Sequence, residues 1–358
     1  MRTSGNDMAE ARRVVGSTRL QPWLVGAGIC VLFGSALASV LVGPADLSPK
    51  DVLLELVSKL PFSSIHAGLS PLDSAIVWQI RAPRIVLAAI VGGMLAVAGS
   101  AYQGVFKNPL ADPYLLGVAS GAGLGATIAI ATIANPASLP FDPVPLAAFS
   151  GAILAVAATY ALGRGGSRLR NSSSLILAGV AVGAFFTAIQ TYEQQRSSST
   201  LTAVYSWILG GLSTASWQQV VLVLPYVGAS VFVLFLCRRL LDVMSVGDEE
   251  ANSLGISARR VRLIIVGAAT LGTAAVVAVS GLIGFVGIIV PHTIRLLVGS
   301  SYRRILPLSI FGGAAFLILA DLVARTVLSP AEVPIGVVTA FVGAPFFLIV
   351  LRQARQFP

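Results

Sequence analysis

Three lysines, two histidines, two cysteines and a few carboxylates are the side chains in this sequence that could do chemistry. Their spacing argues against most of it. A nucleotide-binding Walker A loop needs Gly-Lys followed by Ser or Thr, whereas Lys50, Lys59 and Lys107 are followed by Asp51, Leu60 and Asn108. The chain lacks that loop, so an ATP-driven function would have to draw its energy from another polypeptide. His66 and His292 form no HExxH or other multi-ligand cluster, so no metal site is expected. Cys30 and Cys237 lie in or beside different apolar stretches, without the paired spacing of a disulfide or metal framework. Ser120 beside Gly121 could suggest an intramembrane protease, but small residues at helix contacts are the commoner reason for such a pair. His292 follows Pro291 and stands three residues before Arg295, which fits either a proton relay or a polar helix start. Asp321 and Arg325 are four apart with the acid first, the favourable helical pairing. They read either as a structural ion pair or as an acid steadying an arginine that faces a docking surface.

The elements that must carry these residues are membrane helices. The chain is 56% hydrophobic and 11% charged, with a mean hydropathy of +0.86, far below the roughly 25% charge of a soluble domain. Its net charge of +9 comes from basic residues that flank apolar stretches and do not line up with aromatics, which excludes a nucleic-acid partner. A spanning helix needs about 20 apolar residues to cross roughly 30 Å of hydrocarbon. Nine or ten segments reach that length, read as 21–43, 84–106, 113–134, 144–163, 174–193, 218–238, 260–280, 283–299, 304–328 and 334–352. The first reads as a retained helix, since no A-x-A-like cleavage site adjoins a short apolar core. The expected fold is a single all-α transmembrane domain over 21–352, with tails 1–20 and 353–358.

Charge orients the bundle. Arg2, Arg12, Arg13, Arg19, Lys107, Arg164, Arg168, Arg170, Arg238, Arg239, Arg259, Arg260, Arg262, Arg303, Arg304, Arg352 and Arg355 fall on one side, which the positive-inside rule makes the cytoplasm. Lys50, Lys59, Arg81, Arg84 and Arg196 fall on the other, and both termini are cytoplasmic. Trp23, Trp78, Trp207 and Trp217 sit near span ends, as an interfacial belt requires. The external segment 44–80 is expected to hold an amphipathic helix at Pro49–Leu60, and the internal loop 239–258 two short helices broken near Gly247. Gly104–Gly121 and Gly284–Gly299 both set proline between glycine-rich helices on opposite sides, which suggests an inverted repeat.

The stretches RAPRIVLAAIVGGMLAVAGSAYQGVFKNPLADPYLLGVASGAGLG (81–125), LILAGVAVGAFF (175–186), GDEEANSLGI (247–256), GLIGFVGIIVPHTIRLLVG (281–299) and ADLVARTVLSPAEVPIGVVTAFVGAPFFL (320–348) resemble the FecCD-type permeases of type II ABC importers. That family carries ferric siderophores, haem and vitamin B12. The resemblance implies ten helices per chain and pairing with a second permease chain, the same or a close paralogue. It also implies two ABC ATPase subunits inside, carrying ATP and Mg, and an extracytoplasmic solute-binding protein outside, in a bacterial cytoplasmic membrane. The chain itself is then neither an enzyme nor the holder of a cofactor. By the same resemblance Arg81, Arg84 and Arg325 meet glutamates of the binding protein, with Ala82 standing where many members have Leu. Asn108 and Leu110, in the NPLA turn, close the pathway at a cytoplasmic gate faced by Ser172, Ser173 and Ser174, serines that could equally be helix caps. Residues 240–257 dock in the ATPase, where Gly247, Asp248, Glu249, Glu250, Leu254 and Gly255 form the coupling segment. An ion-coupled secondary transporter is the alternative, for which Asp321 is the clear carboxylate within a span.

Overall fold

The structure is a computed structural model that describes residues 20–45, 47–59, 68–133, 141–163 and 172–354, with helices throughout and no strand among the described residues. The basic residues Arg2, Arg12, Arg13, Arg19, Arg164, Arg168, Arg170 and Arg355 lie outside them, as does Leu60. In chain order the helices are α1 Pro22–Leu41, α2 Pro49–Ser58, α3 Pro71–Phe106, α4 Val118–Thr132, α5 Pro143–Gly163, α6 Ser172–Arg196 and α7 Leu201–Ile208. They continue with α8 Trp217–Leu236, α9 Arg238–Val246, α10 Asp248–Ser253, α11 Ala258–Ser280, α12 Val286–Val298, α13 Tyr302–Thr326 and α14 Ile335–Ala354.

Seven of these, α1, α3, α5, α6, α8, α11 and α13, are long and apolar enough to cross a membrane. Two shorter apolar helices, α4 and α12, and α14, apolar over Ile335–Val350, bring the described helices to the ten expected spans. Local chemistry explains the boundaries. Proline opens α1, α2 and α5, where its missing N–H is no loss. The Ser216 hydroxyl accepts the Gln219 N–H at 3.3 Å and caps α8. Helix α2 is the expected amphipathic helix after Pro49, ending at Ser58. It is held to the start of α3 by Glu55, which accepts from Ser74 Oγ at 2.8 Å and Trp78 Nε1 at 3.0 Å.

Helices α3 and α11 run through the centre and pack on each other. Almost every residue of α3 from Arg84 to Phe106 is buried. Helix α13 lies along α3, and α4 lies along α5. Lipid tails are as apolar as Leu, so burying Leu drives no association between helices here, and close backbone approach must supply the contact. Glycine supplies it at several crossings. A Cβ on Gly92 of α3 would overlap the Gly313 carbonyl of α13, and one on Gly121 of α4 would overlap the Gly151 carbonyl of α5. Outward, Phe33, Leu154, Val221, Phe232 and Leu297 are exposed, which suits a lipid-facing surface.

The two segments of the sequence echo share a design. Helices α4 and α12 span 15 and 13 residues, about 20 Å at 1.5 Å per residue, which is short of the bilayer core. Each is entered through irregular backbone. A 3-10 turn at Pro113–Leu116 precedes α4, and Gly281 and Phe285, both at positive φ, precede α12.

Gly92→Ala is expected to lower the stability of the purified protein by about 1–3 kcal/mol, because it overpacks the α3 and α13 contact. Gly267→Ala, whose added Cβ meets no atom within 4 Å, is expected to be neutral or to gain up to about 1 kcal/mol from helix propensity. Thermal unfolding in detergent compares the two.

Candidate functional site

Polar groups concentrate at the two ends of the bundle and at one point inside it. At the end rich in basic residues, the loop after α8 folds into α9 and α10, joined at Gly247 as expected. Each short helix carries one acid that anchors it. Asp242 of α9 accepts the Tyr302 N–H at 2.6 Å and the Ser301 hydroxyl at 3.2 Å, and lies 3.3 Å from Arg303 Nε. It therefore fastens α9 to the N-terminus of α13, where an anion is favoured. Asp248 of α10 lies 2.7 Å from Arg262 Nη2 of α11 and 3.3 Å from Lys107 Nζ at the end of α3. Burial pushes the Asp248 carboxyl up, and Arg262 with Lys107 more than offset this, holding it below the usual carboxylate range.

At this end the expected gate turn is well defined. The Asn108 side chain accepts the Leu110 N–H at 2.9 Å, Asn108 is exposed and Leu110 half-buried. Ser174 lines a cavity of about 340 Å³ together with Tyr160, Asp248, Asn252 and Arg262. Ser172 and Ser173 begin α6, and their side chains lie outside the described residues. Of the coupling residues, Glu249, Glu250, Leu254 and Gly255 are exposed, while Asp248 is turned inward onto Lys107 and Arg262. Val246 and Leu254 present bare apolar side chains, 70% and 67% exposed, at this polar end.

At the opposite end lie three arginines, two of which, Arg84 and Arg325, meet the carboxylates of Asp321 and Glu332. Arg84 is clamped on both sides: Nε and Nη2 donate to Asp321 at 2.8–3.0 Å, and Nη1 and Nη2 donate to Glu332 at 2.8 and 3.0 Å. A guanidinium fork suits such paired carboxylates. Arg325 donates to the Ser39 carbonyl and, at 2.7 Å, to the Ser39 hydroxyl. Its Nε stands 3.7 Å from Asp321. Arg81 donates to the Val40 and Ala45 carbonyls at 2.5 and 2.7 Å and so caps the end of α1.

The expected pairing of Asp321 with Arg325 is therefore present but long, and Asp321 has its close partner in Arg84, on another helix. All three arginines are more than nine-tenths buried, and their hydrogen bonds stay within the chain. The physical reason is cost: a guanidinium inside an apolar bundle must be paired or bonded to carbonyls. Sequence spacing missed Glu332 and Asp242. Glu332 is 248 residues from Arg84, a separation that carries no local signal. Asp242 stood in the loop already singled out, beside other acids.

The interior point lies between the entrances to α4 and α12. The Tyr114 hydroxyl donates to the Ile283 carbonyl at 3.0 Å and accepts the Ile283 N–H at 3.1 Å, while Asp112 accepts the Tyr114 N–H at 2.8 Å. Beside it, a cavity of about 430 Å³ is lined by α4 and α6, with Ser120, Thr187 and Gln190 as its polar members, and meets Ile208 and Leu282. Ser120 itself donates to the Gly117 carbonyl at 3.0 Å, a local helix bond, and His292 packs edge-on against Phe346. No group of three or more His, Cys, Asp or Glu residues able to hold a metal occurs among the described residues.

The profile of the FecCD transport family matches residues 30–353, almost the whole bundle. The chain belongs to the FecCD transport family. It is thus a multi-span ABC transporter permease. Among its relatives, the cobalamin import system permease of Halobacterium salinarum is 35% identical, covering 94% of this chain and 97% of that one. The hemin transport system permease of Yersinia pestis is 39% identical, covering 85% and 95%. A solved structure described as an inward-facing metal-chelate type ABC transporter superposes with a TM-score of 0.80 at 28% identity, covering 93% of this chain and all of that one.

In this FecCD permease Asp321→Asn strips Arg84 of one of its two carboxylates and leaves Arg325 without a counterion. A loss of about 3–5 kcal/mol is expected, the cost of an uncompensated buried charge. Thermal unfolding in detergent measures it, and a loss under 1 kcal/mol would show that Glu332 alone sustains the cluster.

Proposed function

We propose that this permease is the membrane-spanning half of a binding-protein-dependent importer that moves a bulky ferric chelate, haem or corrinoid into the cytoplasm. Two permease chains, copies or close paralogues, pair around the pathway. Two ABC ATPase subunits supply the energy by hydrolysing Mg-bound ATP, and an extracytoplasmic protein delivers the ligand. The observation that carries this reading is the family match over residues 30–353 in a chain whose three lysines form no Walker A loop. Relatives named for cobalamin and hemin import support the ligand class.

The chain lies in the bacterial cytoplasmic membrane with the α9 and α10 loop and both termini inside, as the bias of lysine and arginine favours. That loop docks on the ATPase through the exposed Val246 and Leu254 and the acids Glu249 and Glu250. The Asn108 and Leu110 turn is the inner gate, with Ser172, Ser173 and Ser174 across from it. The cluster of Arg81, Arg84 and Arg325 marks the outer end, where carboxylates of the binding protein compete with Glu332, itself 36% exposed, for Arg84.

Growth of a permease-deleted host carrying this chain and its ATPase, on ferric siderophores, haemin or cobalamin as sole source, tests the function. Uptake that requires the binding protein and an intact Walker A lysine in the ATPase is the expected outcome. Uptake driven by a proton or sodium gradient without the ATPase would instead establish a secondary transporter. For docking, Arg84→Gln is expected to weaken binding-protein affinity, more at low salt than at high. Equal affinity at every ionic strength would remove the arginine cluster from that role.

A further inference from the structure

We propose that the ion pair between Asp248 and Lys107 is a strut that passes movement of the α9 and α10 loop to the gate turn at Asn108 and Leu110. The proposal rests on the importer reading above and names the residues through which its loop and gate communicate. The geometry of three joints carries it.

The first joint is Gly247. It stands alone between α9 and α10, in extended conformation, and its missing side chain leaves the space that the Glu250 carboxylate fills. The loop thus has two halves hinged at one residue. The second joint divides their anchorage. Asp242 ties the first half to the start of α13, through the Tyr302 N–H, the Ser301 hydroxyl and Arg303. Asp248 ties the second half to α11 through Arg262 and to the end of α3 through Lys107. A partner that moves α10 relative to α9 therefore acts on different membrane helices through different carboxylates.

The third joint is Lys107 itself. It ends α3 at φ 51° and ψ 35°, the left-handed cap position, where glycine is the residue of least cost and a side chain with a Cβ is disfavoured. A lysine at such a position gives up glycine's freedom, and what it gains is an ammonium group 3.3 Å from Asp248. One residue on, the Asn108 N–H closes back on the Gln103 carbonyl at 3.2 Å, and the Asn108 side chain holds the Leu110 N–H. Displacing Asp248 thus pulls on a side chain whose own backbone continues directly into the gate turn. The Lys107 and Asp248 side chains are 36% and 38% exposed, while the Asp248 Oδ1 that faces the ammonium is itself shielded from solvent, so the pair sits at the boundary between protein and water. The Arg262 bond, shorter at 2.7 Å and buried on the arginine side, keeps Asp248 registered on α11. Lys107 is a positioning residue in this account: it touches no ligand and works through the turn that follows it.

The test uses the complete transporter, permease with its ATPase, in inside-out vesicles. Leu110→Cys is placed in a Cys30→Ser and Cys237→Ser background, and a membrane-impermeant maleimide modifies the introduced thiol. The readout is the ratio of labelling rates without nucleotide and with ATP and vanadate. In the parent this ratio departs from one. Lys107→Met is expected to bring it about five-fold closer to one, which is what about 1 kcal/mol of coupling is worth. Lys107→Arg is expected to keep it, since the charge still reaches Asp248. A merely structural lysine would leave the ratio of the assembled complex where it was in both variants. A parental ratio with Lys107→Met overturns the strut. A parent with no nucleotide dependence overturns the gate reading itself and the strut with it. If Lys107→Met does not assemble, the polar Lys107→Gln, which removes the charge and leaves Asp248 bonded to Arg262, carries the same expected and overturning outcomes.

Discussion

Hydrocarbon offers no hydrogen bonds, and every departure of this backbone from helix depends on how that constraint is met. Within a lipid-facing helix the problem solves itself. The two irregular entrances, 111–117 and 281–285, solve it by being largely buried and bonded to each other. The Tyr114 hydroxyl serves both the N–H and the carbonyl of Ile283, and Asp112 and Asn108 serve N–H groups of their own turn. Because these entrances are satisfied inside the protein, α4 and α12 can be short. A short helix entered through irregular backbone places polar groups within the bundle, beside a cavity, where a continuous span would have placed only side chains.

The same constraint sorts the charges. Arginines inside the bundle are consumed: Arg84 by two carboxylates, Arg325 by Ser39, Arg81 by the last carbonyls of α1. Each of these contacts joins separate helices, so the cluster locks α1, α3 and α13 together at one end. At the opposite end most of the charges are partly exposed, and two carboxylates, Asp242 and Asp248, carry the contacts. Lys107, Asp248, Arg303 and Asp242 hold the α9 and α10 loop through side chains that are partly exposed. The two ends therefore differ in kind. One is a buried network that costs several kcal/mol to break, and the other a set of partly solvated ties of the order of 1 kcal/mol each.

Between the ends, small residues decide how near the helices come. Gly92 with Gly313 and Gly121 with Gly151 bring backbones into direct contact, and this closeness lets α3 be buried along nearly its whole length while its neighbours keep bulky side chains for the outer surface.

Much of this was legible in the sequence. The ten apolar segments, the amphipathic helix after Pro49, the break at Gly247 and the paired proline turns follow from local pattern, because helix length in lipid, proline and glycine act over a few residues. The motifs also placed the chain in its family, and with it the general activity. What only the tertiary structure decided is partnership. Asp321 was legible as a partner of Arg325 four residues on, and the fold gave it instead to Arg84, 237 residues away, because a fork on another helix satisfies both carboxylate oxygens. Asp248 was legible as an acid for another protein, and the fold turned it onto Lys107 and Arg262 of its own chain. Charge seeks the nearest opposite charge in space, and in a bundle of ten helices nearness is set by which faces pack, a property that spacing along the chain does not contain.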